Sequence, residues 1–357
     1  MKDDHIRTVP RFVLIGAAVA VMAGCATAGT VDTSGDPSPS AMPTATPECP
    51  SDSLEYVCGL QNPEDIVRVG STRWLIASSV SVSGPGAGSI YLIDSEAATA
   101  EELFPGASPR MDPDETMYPD CPSIDLEQFE VHGLSIRETS PETFRLYATT
   151  HGSVEAIQAW ELDASGEKPA ITWVGCVPLP DDVFANGVAM LADGGFVTTK
   201  FAESAEDAGH GSLGGGVLEW HPGEAVTAVP DTEVSGANGI ELSPDERYMY
   251  VAAYKTHEIV RFDRGPNPEP KVSIAVDVAP DNLRWTPDGT LLTVGSNAAG
   301  GTGWSVFEVD PSAMTATKIA EYGPDVALQN ASAALEVDDA VWIGAWRGDR
   351  VGYYPAN

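Results

Sequence analysis

One phrase recurs six times along this chain: a small or polar opening, a run of alternating apolar residues, a turn, and a second apolar run. Its copies open at Glu64, His132, Asn186, Asn238, Asp281 and Ala331, so successive openings lie 68, 54, 52, 43 and 50 residues apart. A four-stranded propeller blade takes roughly 40–50 residues, and a repeat of that size buries its apolar faces only by stacking on its neighbours. The spacing therefore predicts an all-β, six-bladed β-propeller over residues 49–357, with no room for a second domain. A β-sandwich also has short strands and frequent turns, but nothing in it calls for a repeat of this period. The turns SPDER (243–247), TPDG (286–289) and LADGG (191–195) place Pro, Asp and Gly where a tight connection needs a preset φ, a side-chain cap and a positive φ. The longer early intervals include residues 106–123, which are expected to form a loop over one mouth of the channel.

The region ahead of the repeat reads differently. Residues 1–24 have the pattern of a bacterial export signal, with Lys2, Arg7 and Arg11 before an apolar stretch from Phe12 to Gly24 that is too short to span a bilayer. Met22-Ala23-Gly24-Cys25 resembles the lipobox of bacterial lipoproteins, in which Cys25 is lipidated and becomes the mature N-terminus. The alternative is an ordinary secretory signal with a chance cysteine. Residues 25–48 are small and rich in Pro, Ser and Thr, a composition that cannot bury enough surface to order itself, and they read as a tether. The expected setting is extracytoplasmic, facing the periplasm or the cell exterior, with the membrane met through the lipid anchor only.

A formal net charge of −34 repels nucleic acid and anionic headgroups, so no nucleic-acid partner is expected, and the chain is expected to be a monomer. Four cysteines remain besides Cys25, an even number in an exported chain, which predicts two disulfides. Of the three possible pairings, Cys49–Cys58 with Cys121–Cys176 staples neighbouring segments. A zinc site would be expected to show CxxC or clustered Cys/His spacing, and neither occurs.

In a propeller the innermost strands line the channel, so residues opening equivalent strands converge. Glu64, Asn186, Asn238, Asp281 and Asn282 would bring two carboxylates and three amides together, a hard all-oxygen set that suits calcium better than zinc or copper. Taken singly, each Asn-Gly also reads as a hairpin turn and each Asp-Asn as a loop cap. The common placement before an apolar strand, and not between two strands, favours convergence. His132 and His151 open and end the two strands of one copy; brought together, one imidazole could take a proton from water while the other orients it.

At these residues the chain resembles the paraoxonase-like lactonases and arylesterases, within a wider six-bladed group that includes regucalcin-type gluconolactonases and diisopropyl-fluorophosphatase. The matching positions are Glu64 and Asp65 in PEDI, His132 in HGLS, His151 in TTHG, Asn186 in ANGV, Asn238 in ANGI, and Asp281 with Asn282 in PDNL. The resemblance implies a catalytic calcium held by Glu64, Asn186, Asn238, Asp281 and Asn282, a His132–His151 dyad, and a small lactone or aryl-ester substrate. It also implies a second, structural calcium involving Asp65, although the Asp that would help to hold it is replaced here by Gly187. The family's paraoxonases close their ring with a terminal disulfide; here the last cysteine is Cys176, so closure must come from strand pairing between the N-terminal segment and GDRVGYYP. The expected activity is calcium-dependent hydrolysis of lactones or aryl esters. The alternatives are a gluconolactonase-like sugar-lactone hydrolase and a calcium-stabilised binding propeller without chemistry of its own.

Overall fold

The second strand of each repeat is apolar in both phases of its alternation; Trp74–Ala77, for example, is buried along its whole length. A sheet with two apolar faces must be covered on both, and a ring of sheets standing face to face does this without end caps. The computed structural model describes residues 49–50, 52–81, 88–211, 213–297 and 303–356, and these residues form six four-stranded sheets arranged in this way. The expected export signal, Cys25 and the expected tether lie outside the described residues.

The innermost strands of blades 1 to 6 are Ile66–Arg68, Glu130–Ser140, Phe184–Met190, Ala237–Leu242, Val278–Trp285 and Ala331–Val337. Each is followed by an antiparallel second strand, reached through the expected turns; Gly194 and Gly289 take φ values of +91° and +84° there. Six apolar clusters fill the six gaps between adjacent blades. Alternation divides each strand between two of them: Leu75 and Ile93 face the gap between blades 6 and 1, while Ile76 and Leu92 face the gap between blades 1 and 2. At about 25 cal/mol per Å² of apolar surface, these sheet-on-sheet contacts are the main source of stability.

The ring closes through strand pairing, as expected. Glu55–Cys58 forms the outermost strand of blade 6, antiparallel to Arg350–Pro355, with Glu55 opposite Tyr353 and Cys58 opposite Arg350. Both expected disulfides are present, Cys49–Cys58 beside this closing strand and Cys121–Cys176.

The segment 106–123 runs along the outer edge of blade 2, where Met111 bridges in parallel to Trp173, and its end, Pro122 and Ser123, lines a pocket together with His151. Asp112 and Asp114 donate their amides to the carbonyls of Trp173 and Val174, and Cys121–Cys176 ties the segment to that same strand. An otherwise open sheet edge takes the segment up by pairing.

Around the axis the backbones come close. A Cβ on Gly187 would stand 2.8 Å from the carbonyl oxygen of Asn238, and one on Gly239 would stand 2.6 Å from that of Asp281. Glycine is required there because the next blade's backbone occupies the space of a side chain. Gly239→Ala is expected to lower the unfolding free energy by about 1–3 kcal/mol in urea titrations. Gly209→Ala, whose added methyl meets nothing within 4 Å, should leave it within about 0.5 kcal/mol.

Candidate functional site

The strand register slips at the same step of five inner strands: after Val131, Ala185, Ala237, Pro280 and Ala331. In the first four, two residues of the inner strand oppose one of its neighbour, the geometry of a β-bulge. The bulged pairs are His132-Gly133, Asn186-Gly187, Asn238-Gly239 and Asp281-Asn282. The Asn-Gly pairs are therefore not hairpin turns. A bulge re-aims the first residue's side chain, and the glycine after it accepts the neighbouring blade's backbone. Threonine and serine hydroxyls stitch adjacent bulges: Thr199 Oγ1 donates to the Asn238 carbonyl at 2.6 Å and accepts the Gly187 amide at 2.8 Å, and Ser332 Oγ donates to the Glu64 carbonyl at 2.6 Å.

All five residues expected to ligate an ion are buried: Glu64 is 0%, Asn282 2%, Asn238 3%, Asn186 4% and Asp281 8% exposed. A contact joins two of them across the ring. Asn282 Nδ2 donates to Glu64 Oε1 at 2.7 Å. Three oxygens from three blades, Glu64 Oε2, Asn186 Oδ1 and Asn238 Oδ1, are buried without a hydrogen-bond partner. Such orphaned acceptors cost free energy unless something positive meets them. Burial, then the charges of Asp65 and Asp281, push Glu64 well above its usual range; burial and Asp65 push Asp281 up to about 8. Two destabilised carboxylates beside unpaired amide oxygens suit a hard divalent cation such as calcium. Among the described residues no group of three His, Cys, Asp or Glu side chains is placed to hold a metal, in keeping with a set made largely of amides.

The two histidines meet beside this cluster. His132 Nδ1 lies 2.8 Å from His151 Nε2, and His132 Nε2 lies 3.7 Å from Glu64 Oε1 and 3.4 Å from Asn186 Nδ2. The relay has a third member that was not anticipated from the sequence. Glu155 approaches His151 Nδ1 at 2.9 Å and accepts the Ala185 amide at 2.7 Å. A carboxylate can only accept here, so His151 Nδ1 carries a proton and neutral His151 offers Nε2 as an acceptor. His132 then donates from Nδ1 and keeps its lone pair on Nε2, the nitrogen facing the oxygen cluster. Burial, followed by the charge of His151, lowers the affinity of His132 for a second proton. Burial acts the same way on His151, but Glu155 outweighs it and raises this ring above its usual range. Phe184 stacks on the His151 ring at 4.3 Å between centroids. The sequence does contain a signal for Glu155, its four-residue spacing from His151, but the residue falls in a connection between strands.

Asp65 behaves differently from its neighbour. Its Oδ1 accepts the Ile66 amide at 2.8 Å, and its Oδ2 accepts both the Leu134 amide at 2.7 Å and the guanidinium of Arg284. With Arg284 on its carboxylate and Gly187 at the position of the missing Asp, Asp65 does not fit a second calcium.

Aromatic residues lie at or just after the ends of three second strands, Phe196–Ala202, Tyr248–Ala253 and Ala340–Ala345. Phe201 meets Tyr254 edge-on at 5.8 Å, and Trp346 is 38% exposed.

The model of the family described as SMP-30/Gluconolactonase/LRE-like region matches residues 135–356, more than half of the chain. The match takes in Asn186, Asn238, Asp281 and Asn282; Glu64 and His132 lie ahead of it. Serum paraoxonase/arylesterase 2 of Canis lupus familiaris is 27% identical over 205 residues, which are 53% of this chain and 54% of that one. The chain thus spans about half the length of this curated relative. A gluconolactonase from Xanthomonas campestris superposes with a TM-score of 0.54 at 17% identity, over 85% of this chain and 89% of that one. A luciferin-regenerating enzyme superposes with a TM-score of 0.56 at 11% identity, over 85% and 95%. At such identities the superpositions speak for the fold alone, while the family match rests on sequence over residues 135–356. The chain belongs to the SMP-30/Gluconolactonase/LRE-like family.

Proposed function

We propose that this chain is a calcium-dependent hydrolase of lactones or aryl esters, tethered outside the cytoplasm. The observation that carries this reading is the meeting of a directed proton relay, Glu155–His151–His132, with three orphaned buried oxygens from three blades. Glu64, Asn186, Asn238 and Asp281 would hold the ion, with Asn282 supporting Glu64 through its amide. Calcium bound there supplies a Lewis acid that polarises the ester carbonyl and stabilises the negative charge developing on its oxygen.

The rest of the chemistry belongs to the chain. His132 Nε2 accepts a proton from water as the water oxygen bonds to the carbonyl carbon. The imidazolium that forms donates from Nδ1 to His151, whose far side faces the Glu155 carboxylate, so the transient charge is shared toward an acid. As the ring or aryl C–O bond breaks, the same proton passes from His132 to the leaving oxygen, and the imidazole returns to its starting state. Burial of the cluster limits water to what the substrate admits. Phe184, Phe201, Tyr254 and Trp346 favour an apolar or aromatic acyl or alcohol group over a polyhydroxylated sugar ring, which would leave its hydroxyls facing aromatic surface.

Chelation is expected to abolish hydrolysis of alkyl lactones and phenyl acetate, and added calcium to restore it; activity unchanged by chelation would overturn the reading. In thermal melts, calcium at 100-fold over its dissociation constant should stabilise the chain by about 2.7 kcal/mol, and Glu64→Gln or Asn238→Ala should abolish that response. His132→Gln should reduce kcat by about 10²–10⁴-fold with calcium binding retained. Glu155→Gln should cost about 10–100-fold through loss of ring orientation, with KM nearly unchanged. The tether is tested by metabolic labelling with palmitate, expected for the natural chain and absent in Cys25→Ser.

A further inference from the structure

The guanidinium of Arg284 lies on the inner strand of blade 5, two residues after Asn282, and is 6% exposed. Its donors reach five oxygens. Nε donates to the Ile66 carbonyl at 3.1 Å; Nη1 to the Leu283 carbonyl at 2.8 Å and to Glu241 Oε1 at 3.1 Å; and Nη2 to the Leu134 carbonyl at 2.9 Å and to Asp65 Oδ2. A guanidinium has five N–H groups, so none of its donors is left over. The acceptors come from blades 1, 2, 4 and 5 and are two carboxylates and three backbone carbonyls. That is an all-oxygen shell of the kind a calcium ion takes, here closed around a planar organic cation. Burial opposes the charge on Arg284, but Asp65, Glu241 and Glu64 outweigh it and hold the group above its usual range.

We propose that Arg284 is a built-in cation that takes the place of a second metal ion, so that the shell of Asp65, Ile66, Leu134 and Glu241 binds no divalent ion in this chain. A permanently charged side chain replaces a dissociable one, and the inner strands of four blades stay tied together whatever the calcium concentration. Because Asp65 stands next to Glu64 and Leu134 lies two residues after His132, the same bonds fix the strands that carry the oxygen cluster and the histidine relay. This inference does not depend on the hydrolase reading.

The test counts calcium per chain by atomic emission in the full-length protein and in Asp65→Asn and Arg284→Ala. Wild type and Asp65→Asn should bind the same number of ions, whatever that number is, and Arg284→Ala one more than wild type. Arg284→Ala should also melt roughly 5–15 °C lower without calcium, and millimolar calcium, but not sodium chloride of equal ionic strength, should restore most of the loss. Loss of one ion in Asp65→Asn would overturn the proposal, as would an Arg284→Ala protein equally destabilised with and without calcium. If Arg284→Ala gives no folded protein, Arg284→Gln takes its place with the same two readings, and the Asp65→Asn count stands by itself. A wild-type count of zero would reject calcium catalysis and leave this inference intact.

Discussion

Six inner strands brought to one axis leave no space for side chains on the backbone that faces the next blade. That steric limit governs the centre of the molecule. Gly187 and Gly239 press on the backbone of the following bulge, and Gly344 presses on Pro63 and Glu64, where an added Cβ would lie 2.8 Å from the Pro63 carbonyl oxygen. Each bulge that admits the contact also swings the residue before its glycine toward the axis. Packing and chemistry are therefore one arrangement: the distortion that lets the ring close is also what aims Asn186 and Asn238.

Charge is distributed with the same economy. Asp65, Glu64 and Asp281 lie within one buried region, and the fixed cation among them, Arg284, is bound to Asp65 and Glu241. Glu64 and Asp281 are left in excess on the side of the axis where His132 and the orphaned amide oxygens face. Adjacent acids thus have opposite roles: Asp65 is satisfied by the protein, and Glu64 is not. Buried charges left without a partner are costly, and they persist where an ion or a reaction makes use of them.

The architecture was legible because a period of about 50 residues has few structural meanings, and the site positions because each opens its copy of the phrase. The bulges were not legible. A register slip leaves the apolar alternation on both sides intact, so Asn-Gly before a strand looks the same whether it turns or bulges. Arg284 was hidden within Asp281-Asn282-Leu283-Arg284-Trp285, where it reads as one polar residue on a strand; its partner Asp65 is 219 residues away, and only ring closure joins them. Glu155 was missed because strand connections carry no periodicity. The pairing of residues 106–123 with blade 2 was recoverable, since the expected bond between Cys121 and Cys176 already tied that segment to the outer strand of blade 2.

The pairing of Glu55–Cys58 with Arg350–Pro355 has a temporal consequence. Contacts this far apart in sequence form late, because the loop they close spans nearly the whole domain. The strand that completes the last blade precedes every other strand of the ring in sequence, and its partner follows them all. Until the two pair, blade 6 has an open edge. The oxygen cluster joins blades 1 and 5 through Glu64 and Asn282, 218 residues apart, so it too is a contact of the closed ring. A domain lacking Arg350–Pro355 would thus carry every site residue named above without the pairing that closes the ring around them.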